Sequence, residues 1–269
     1  MRRSAQREDN PFRIEGEVAL KPMTEISNAR SEPWSLTAGR VIPGLRHRMT
    51  TMDGPDLRSD PGSKEHAVLV TELAADAGLD GVAWARQVHG GTVLRVEAAG
   101  CVGEADALWT DVSGLGVLGR SADCPIVLVA GVADDGRRLW GMAHASWRST
   151  VAGITTSLLE AMIGERMNPR TALAAIAPSA GPCCYEVGTE VREAFLDQVG
   201  VHAGSFFRET GLRPRLDLWA ANVDALARGG IAPGRVTVDA RCSICGIGFW
   251  SYRRDGDGAG RMGVVVGVG

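Results

Sequence analysis

Residues 119–163 decide the fold class of this chain; they read GRSADCPIVLVAGVADDGRRLWGMAHASWRSTVAGITTSLLEAMI. Two apolar runs, Ile126 to Val132 and Leu139 to Ala143, flank an Asp-Asp-Gly turn, and this pattern predicts a β-hairpin. If the turn centres on the second aspartate, antiparallel pairing sets residues whose numbers sum to about 270 opposite each other. Cys124 and His144 then share one end of the hairpin, within one or two residues of facing.

The next element begins at this end of the hairpin. Apolar residues keep helical spacing from Ser146 to Ile163, which predicts one helix whose free N–H groups point at Cys124 and His144. Arg148 adds a forked cationic donor in the first turn, and a helix N-terminus binds anions. Either of the two ligand-type residues alone is more often structural, but their predicted meeting beside a helix start favours a functional site.

His89 is the candidate third member of this site. It lies in a His-Gly-Gly turn between two β-rich runs, and the glycines allow the backbone to come close to a bound group. Three nitrogen or sulfur ligands with an open fourth position are typical of catalytic zinc. The sequence therefore predicts that His89, Cys124 and His144 bind Zn²⁺ and carry the catalysis.

The composition limits the class of partner and the compartment. The 269 residues carry a formal net charge of −3, which gives no electrostatic reason to expect nucleic acid or an anionic membrane as partner, so a small molecule is expected. The apolar runs are too short to span a bilayer, and the charged N-terminus is not followed by an apolar segment of the signal-peptide type. A cytoplasmic protein is therefore expected.

The chain is expected to form a single domain after an extension. Residues 1–38 lack periodic apolar positions and are predicted to be flexible, whereas residues 39–269 contain no linker-like stretch. Strands and helices are mixed without regular βαβ alternation, which predicts an α+β fold of layered sandwich type. A helix capped by Ser63 is predicted to have an apolar side that includes Val68, with His66 exposed or half-exposed in its first turn.

Six cysteines are too few for a disulfide scaffold, and their spacing is that of separate thiols. Cys242 and Cys245 form a lone C-x-x-C. Because a structural zinc site needs four ligands and no second C-x-x-C or H-x-H pair is present, this motif is predicted to be a turn with two partly buried structural cysteines. The adjacent Cys183 and Cys184 receive no role.

Arginines and aromatic residues alternate near the C-terminus. In Phe249-Trp-Ser-Tyr-Arg-Arg-Asp-Gly the aromatic rings are candidates to stack a planar base and the arginines to hold an anion, with a charged surface turn as the equal alternative. The predicted substrate contacts are Arg253, Arg254, Arg148, Ser146 and His47.

Five short motifs carry a family resemblance: Gln87-Val-His-Gly, Ala122-Asp-Cys-Pro, His144-Ala-Ser-Trp-Arg, Gly181-Pro-Cys-Cys-Tyr-Glu-Val-Gly and Ser251-Tyr-Arg-Arg-Asp-Gly. In this order they resemble the YfiH-type family, whose members are labelled both polyphenol oxidase (laccase domain) and purine nucleoside phosphorylase. The resemblance covers about residues 41–269. Several unrelated signatures in one order make it specific.

The resemblance implies an α/β/β/α sandwich and a zinc ion held by His89, Cys124 and His144. It also implies phosphorolysis of adenosine, inosine, guanosine or methylthioadenosine, with adenosine deamination as a side activity; a cell-wall precursor editing role is attached to some members. The expected partners are therefore a purine nucleoside and phosphate, and the expected assembly is a monomer or a weak homo-oligomer.

The chain departs from the family pattern at two places. Met52 stands where the family usually has the arginine of a Thr-Thr-Arg motif, so Arg46 or Arg48 would have to supply that phosphate contact. The usual Gly-Trp-Arg-Gly becomes Ser146-Trp-Arg-Ser, which narrows backbone access at the helix start.

Two other functional classes stay open. A metal-independent hydrolase of the amidase type would use Cys124 as nucleophile and His144 as base. A non-catalytic nucleotide-binding or cell-wall interaction protein would bind its ligand without turnover. Multicopper oxidation is disfavoured, because the five histidines are fewer than a trinuclear centre and a blue-copper site together require.

Overall fold

The structure, a computed structural model, describes residues 42–209 and 211–269. The predicted flexible extension, residues 1–38, lies outside the described residues. The strands of the described part are β1 Leu45–Met49, β2 Gly81–Arg86, β3 Val93–Arg95, β4 Gly100–Glu104, β5 Ala107–Thr110, β6 Leu115–Ser121, β7 Ile126–Val132, β8 Arg138–His144, β9 Leu173–Ile176, β10 Phe207–Arg208, β11 Arg215–Leu216, β12 Val236–Val238 and β13 Met262–Val268.

Helices flank the strands. The α-helices are α1 Lys64–Asp76, α2 Trp147–Val151, α3 Ile154–Gly164, α4 Thr189–Gln198, α5 Leu218–Arg228 and α6 Tyr252–Asp255, and short 3₁₀ turns cover Val201–Phe206, Pro233–Arg235 and Gly256–Gly258. Within residues 42–209 and 211–269, no helix is both long and apolar enough to cross a membrane.

Two mixed sheets make up the centre of the molecule. The five-stranded sheet has the order β1-β13-β6-β2-β4, and the six-stranded sheet has the order β12-β9-β7-β8-β5-β3. Strands β10 and β11 pair separately as a small hairpin. Both large sheets contain parallel and antiparallel neighbours, which agrees with the mixed α+β class predicted from the sequence.

The apolar residues divide into layers because successive strand side chains point to opposite faces. On β7, Ile126 and Leu128 pack between the two sheets, whereas Val127 and Val129 pack against the layer of α3 and α5. Helix α1 covers the outer face of the five-stranded sheet through Val70 and its neighbours. The order of layers is therefore helix, sheet, sheet, helix, and the predicted α/β/β/α sandwich is confirmed.

The central hairpin has the predicted register. Strands β7 and β8 pair antiparallel from Ile126 opposite His144 to Val132 opposite Arg138, so paired residue numbers sum to 270. Cys124 lies two residues before Ile126 at the same end. The turn chemistry and the two apolar runs were therefore sufficient to place Cys124 next to His144.

The single helix predicted from Ser146 to Ile163 is wrong in one respect. Helix α2 ends at Val151, and α3 starts after Gly153, whose φ of +78° is incompatible with a continuous right-handed helix. The apolar spacing continues across the break, although α3 packs on the six-stranded sheet and Val151 of α2 packs with residues of α4 and α5. The element that begins beside His144 is therefore a helix of five residues rather than eighteen, and its aligned backbone dipole is correspondingly short.

Helix α1 corrects two further expectations. The side chain of Ser63 accepts from the His66 backbone N–H at 3.1 Å, which confirms the predicted cap. However, Val68 is exposed and Val70 is buried, because the inward face of the helix repeats from His66 at intervals of three and four residues. His66 is fully buried, with its ring 5.8 Å from that of Trp84, and not exposed as expected.

Candidate metal-binding site

Three side chains of metal-ligand type come together at the end of the β7–β8 hairpin. Cys124 lies in the connection from β6 to β7, His144 ends β8, and His89 lies in the turn after β2. One ligand atom from each lies within 4.8 Å of the others, and the two imidazole rings are 5.0 Å apart between centroids. His144 is buried, Cys124 half-buried and His89 exposed, so the cluster is anchored on one side and open to solvent on the other.

Asp106 is the residue that organises this cluster, and the sequence reasoning missed it. Its side chain is fully buried, and one carboxylate oxygen lies 2.8 Å from Nδ1 of His144. An ionised carboxylate can only accept, so Nδ1 of His144 carries the proton and Nε2 keeps its lone pair for a metal ion. Such a carboxylate behind a ligating histidine is a recurring feature of zinc sites.

The same carboxylate also holds the turn that carries His89. Asp106 accepts hydrogen bonds from the backbone N–H groups of Val88, His89 and Gly90 at 3.2, 3.0 and 2.7 Å. His89 adopts a φ of +60°, an uncommon conformation for a residue with a side chain, and these three bonds stabilise it. One buried aspartate therefore positions two of the three ligands.

Cys124 is held by a bent segment of backbone. Asp123 has a φ of +102°, and its carboxylate accepts from the Ser243 hydroxyl at 2.6 Å and from the Arg253 backbone N–H at 2.7 Å. The Ser121 hydroxyl donates to the Cys124 carbonyl at 2.7 Å. The C-terminal segment is thus tied directly to the residue that precedes the thiol.

The electrostatics of the cluster favour the ionised form of Cys124. Burial alone would raise the pKa of the thiol and lower that of the His144 imidazole, but the attraction between the two groups reverses both shifts. The pKa of Cys124 falls to about 6 and that of His144 rises to about 9, with Asp106 adding to the second shift. Metal-free protein therefore holds a thiolate beside an imidazolium.

The donor set fits zinc. A thiolate with two imidazole nitrogens is the mixture of ligands that zinc accepts, and the exposed side at His89 leaves room for a fourth ligand. A hard cation such as Mg²⁺ or Ca²⁺ prefers oxygen ligands, and no carboxylate belongs to this group among the described residues. The residues therefore suit a catalytic zinc ion with one open position.

Arg148 is exposed near the cluster, but its neighbour Ser146 has a structural task. The Arg148 guanidinium lies 4.3 Å from the centroid of the Trp147 ring. Ser146 is buried, and its hydroxyl caps α2 by accepting from the Ser149 N–H at 3.1 Å, with the Ser149 hydroxyl 2.8 Å away. Ser146 as a substrate contact stays a prediction that competes with this cap.

The two C-terminal arginines have different surroundings. Arg253 donates to the Glu186 carbonyl at 2.6 Å, and its guanidinium lies 5.0 Å from the ring centroid of Tyr185. Arg254 instead donates to the carbonyls of Ser243 and Phe249 at 3.0 and 2.9 Å. Arg253 thus pairs with a ring near the cluster, whereas the predicted substrate role of Arg254 competes with its binding of loop backbone.

Tyr185 is a second residue that the sequence reasoning did not assign. Its pKa is raised, first by burial and then by the Cys124 thiolate, and Arg253 and Arg148 oppose this shift. The Arg253 guanidinium lies 5.0 Å from the centroid of its ring. Its position in Gly181-Pro-Cys-Cys-Tyr-Glu-Val-Gly, one of the motifs of the family resemblance, was the available signal.

His47 lies away from the trio. It pairs with Val266 on β13, which in turn pairs with Val117 on β6. Val117 is four residues before Ser121, the end of β6 that leads to Cys124, so His47 is displaced by about 13 Å along the strand direction. The strand register therefore places His47 at a distance from the trio, and its substrate role stays a prediction.

The C-x-x-C motif is not a lone pair, contrary to the sequence-based expectation. Cys183 and Cys184 lie beside Cys242 and Cys245, and the four sulfur atoms are all within 4.8 Å of one another. The spacing rule failed because the two pairs are about sixty residues apart in sequence and are joined only by the fold. Cys242 alone is buried; Cys184 is half-buried and the other two are exposed.

Comparisons with known proteins agree with this architecture. The sequence matches the family described as "Multi-copper polyphenol oxidoreductase laccase" over residues 61–269. A protein of Deinococcus radiodurans named purine nucleoside phosphorylase is 36% identical over 217 residues, which are 79% of this chain and 81% of that protein. A prokaryotic protein named adenosine deaminase RL5 is 32% identical over 211 residues, 72% of this chain and 76% of that protein.

A comparison with solved structures finds the same family. The crystal structure of the Bacillus licheniformis hypothetical protein YfiH superposes with a TM-score of 0.75 at 25% identity, covering 84% of this chain and 93% of that one. The family match spans more than half of the chain and includes every member of the trio. The protein therefore belongs to the laccase-like YfiH family.

Proposed function

We propose that this protein is a zinc-dependent purine nucleoside phosphorylase that cleaves adenosine, inosine, guanosine or methylthioadenosine with phosphate. The observation that carries the proposal is the convergence of His89, Cys124 and His144 into an anchored cluster that is open on one side. The name of the Deinococcus radiodurans relative supports the same reaction class. Zinc, when bound by this trio, supplies a Lewis acid that can orient an anionic oxygen or lower the pKa of a water molecule.

The surrounding residues supply the binding functions that such a reaction requires. Arg148 offers a forked cation for the phosphate dianion, and its exposure leaves the guanidinium free to turn toward a ligand. Tyr185, with Arg253 over its ring, offers an aromatic face for a planar purine. Asp106 holds His144 and the turn of His89, so these two ligands do not have to reorganise when substrate binds. Phosphate would then attack the ribose C1′ while the base leaves.

The laccase label of the family is the weaker guide to chemistry. A four-copper oxidase needs more imidazoles than the five in this chain, and among the described residues only His89 and His144 join a metal-type cluster. We therefore expect zinc and not copper in the purified protein. Elemental analysis distinguishes the two directly.

Adenosine deamination is a second activity of the same site. The relative named adenosine deaminase RL5 is the specific observation that favours it. A zinc ion held by His89, Cys124 and His144 would also be able to activate water, which is the nucleophile that replacement of the C6 amino group of adenosine, with release of ammonia, requires. Adenosine is therefore expected to give inosine without phosphate and adenine with phosphate.

A metal-independent Cys/His hydrolase is the rival mechanism. The observation in its favour is the pKa of Cys124 near 6 beside a protonated His144, which is the ionic state of a thiol nucleophile and its acid. Such an enzyme would keep its activity after metal removal. It would lose activity to thiol alkylation both with and without phosphate.

The deciding experiment is product analysis with the zinc-loaded protein. Inosine and adenosine are incubated with and without phosphate, and bases, nucleosides and ribose 1-phosphate are separated by chromatography. Phosphate-dependent release of hypoxanthine together with ribose 1-phosphate is expected for the wild type and for Cys101→Ser, whose thiol is exposed on β4 away from the trio. Base release that is equally fast without phosphate, or that survives complete zinc removal, would contradict the proposal.

A further inference from the structure

Two loops carry four cysteines to one place on the surface. Strands β9 and β12 are parallel neighbours at the edge of the six-stranded sheet, so the loops after them leave the sheet at the same end. Their pairing extends beyond the strands: Ser179 pairs with Cys242, and the Ser243 N–H donates to the Ser179 carbonyl at 2.9 Å. This pairing brings the two cysteine pairs together.

The distances between the sulfur atoms match a metal site and not a disulfide. All four sulfurs lie within 4.8 Å of one another, and Cys183 and Cys245 are 3.7 Å apart between sulfur atoms. A tetrahedral zinc ion with bonds of about 2.3 Å to sulfur separates its ligands by about 3.8 Å, whereas disulfide-bonded sulfurs are about 2.05 Å apart. The four thiols are all free.

The backbone around Cys242 has the arrangement that supports a thiolate. The Gly181 N–H donates to the Cys242 sulfur at 3.2 Å, and the Gly246 N–H donates to the Cys242 carbonyl at 2.7 Å, closing the C-x-x-C turn. A side chain at Gly181 would place its Cβ 2.7 Å from the Trp219 ring and 3.2 Å from the Cys242 Cβ, so this approach requires glycine. Arg254 adds a positive charge through its bond to the Ser243 carbonyl.

We propose that Cys183, Cys184, Cys242 and Cys245 hold a second, structural zinc ion, separate from the site of His89, Cys124 and His144. Four sulfur ligands fill a tetrahedral coordination shell and leave no position for water or substrate. Binding moves no electrons: four thiols give their protons to solvent, and four S–H bonds are replaced by four zinc–sulfur bonds. The proposal stands independently of the reaction proposed above.

The second zinc ion joins the two loops that position Asp123. The Ala180 N–H of the first loop donates to the Asp123 carbonyl at 2.7 Å, and the Ser243 hydroxyl of the second loop donates to the Asp123 carboxylate, which also accepts from the Arg253 N–H of α6. Asp123 immediately precedes Cys124. The cysteine cluster therefore acts as a positioning element for the catalytic thiolate.

Metal content separates the two sites. The protein is purified anaerobically, and metals are counted per chain by elemental analysis in the wild type, Cys124→Ala, Cys245→Ser and Cys101→Ser. The expected zinc contents are about two, one, one and two, because each ligand substitution empties one site. A Cys124→Ala variant without zinc, a zinc content that Cys245→Ser leaves unchanged, or iron in the second site would overturn the proposal.

The Cys124→Ala variant keeps the cysteine cluster intact and allows a second measurement. X-ray absorption at the zinc edge is expected to give four sulfur neighbours at about 2.3 Å and no nitrogen neighbours. A mixed nitrogen and sulfur environment would contradict the assignment. So would a disulfide between any two of the four cysteines, detected by mass spectrometry of the anaerobic protein under non-reducing conditions.

A thermal readout covers the case in which a cysteine variant folds poorly. Removal of the second zinc ion from folded Cys124→Ala protein by a chelator is expected to lower the melting temperature by at least about 5 °C, and added zinc is expected to restore it. Cys101→Ser is expected to melt within about 1 °C of wild type. An unchanged melting temperature after the metal has been removed would show that the cluster has no structural role.

Discussion

The two metal-type clusters of this protein differ in their number of ligands and in the elements that carry them. His144 ends β8, His89 and Cys124 lie in the short connections after β2 and β6, and the buried Asp106 fixes two of these three residues. The four cysteines instead lie on two loops and are held by backbone hydrogen bonds. The trio leaves one position of a tetrahedral metal ion open, whereas the four cysteines would fill all four positions.

This difference shows how one fold can hold a reactive metal site and a structural metal site side by side. Three ligands leave one coordination position where a reacting group can bind, and the hydrogen bonds of Asp106 hold two of these ligands in place. Four thiolates on loops use every position to hold the protein together. Both cysteine loops contact Asp123, which immediately precedes Cys124. The cysteine cluster therefore positions the Cys124 thiolate through this single residue.

The largest expected effect comes from the trio. Cys124→Ala is expected to reduce phosphorolysis at least about 10³-fold, because a metal contributes several kcal/mol to transition-state stabilisation and each 1.4 kcal/mol is tenfold. Steady-state release of hypoxanthine from inosine measures this reduction, with Cys101→Ser as matched control.

Cys245→Ser is expected to have the opposite profile, a clearly lower melting temperature with little loss of activity. If Cys124→Ala lost stability but kept its activity, and Cys245→Ser lost activity but kept its melting temperature, the roles assigned to the two clusters would be reversed.

Arg148 tests the anion site beside the trio. Arg148→Ala is expected to lower phosphorolytic efficiency by one to two decades, since a charge-assisted contact to an anion contributes about 1.5–3 kcal/mol. Any phosphate-independent deamination should suffer less. The measurement is initial rate at varied phosphate, with Arg192→Ala as control because Arg192 pairs with Glu209 on the surface. A wild-type phosphate dependence in Arg148→Ala would move the anion site elsewhere.

Asp106 tests whether the trio is held independently of the cysteine cluster. Asp106→Asn is expected to weaken zinc binding at the trio about 10–100-fold, because the amide leaves Nδ1 of His144 without an anionic acceptor. The second zinc ion should be unaffected. Competition with a chromophoric chelator resolves the two sites, and Asp111→Asn serves as control because Asp111 pairs with Arg95 and Arg137 instead. Equal weakening at both sites would mean that the clusters are coupled.

The smallest expected effect is the loss of folding stability at acidic pH. This loss must be measured before metal release at low pH is compared between the two clusters. Burial, reinforced by Arg120, lowers the pKa of His66 to about 4. Between about pH 6.5 and pH 4 the unfolded chain binds a proton that the folded protein does not, so stability falls as the pH falls through this window. We expect a loss of about 1–2 kcal/mol between pH 7 and pH 5.

Chemical denaturation of the zinc-loaded protein at each pH measures this loss. His66→Gln should reduce the pH dependence by about half, because the substituted side chain does not titrate, whereas His47, whose pKa is also lowered to about 4 by burial, still does. His202→Gln should leave it unchanged, since His202 lies on the surface beside Asp224 and His66 is still present. An equally steep dependence in His66→Gln would assign the acid sensitivity to other groups.

Much of the site could be predicted because its key contacts are local. Cys124 and His144 belong to one hairpin, and the turn between its strands determines which residues meet. The break at Gly153 was visible as a glycine, but apolar spacing continues across it, so periodicity favoured a single helix. His66 was misassigned because the burial of a helix face depends on the sheet beneath it, here on Trp84.

The sequence by itself determined the layered sandwich, the central hairpin register and the candidate trio, because apolar alternation, turn residues and ligand types act over short distances. Only the tertiary structure decided that Asp106 lies behind His144 and that Cys183 and Cys184 meet Cys242 and Cys245. These contacts join residues 38 and about 60 positions apart. They arise because neighbouring strands carry their loops to the same end of a sheet, and that adjacency is set by packing rather than by any local pattern.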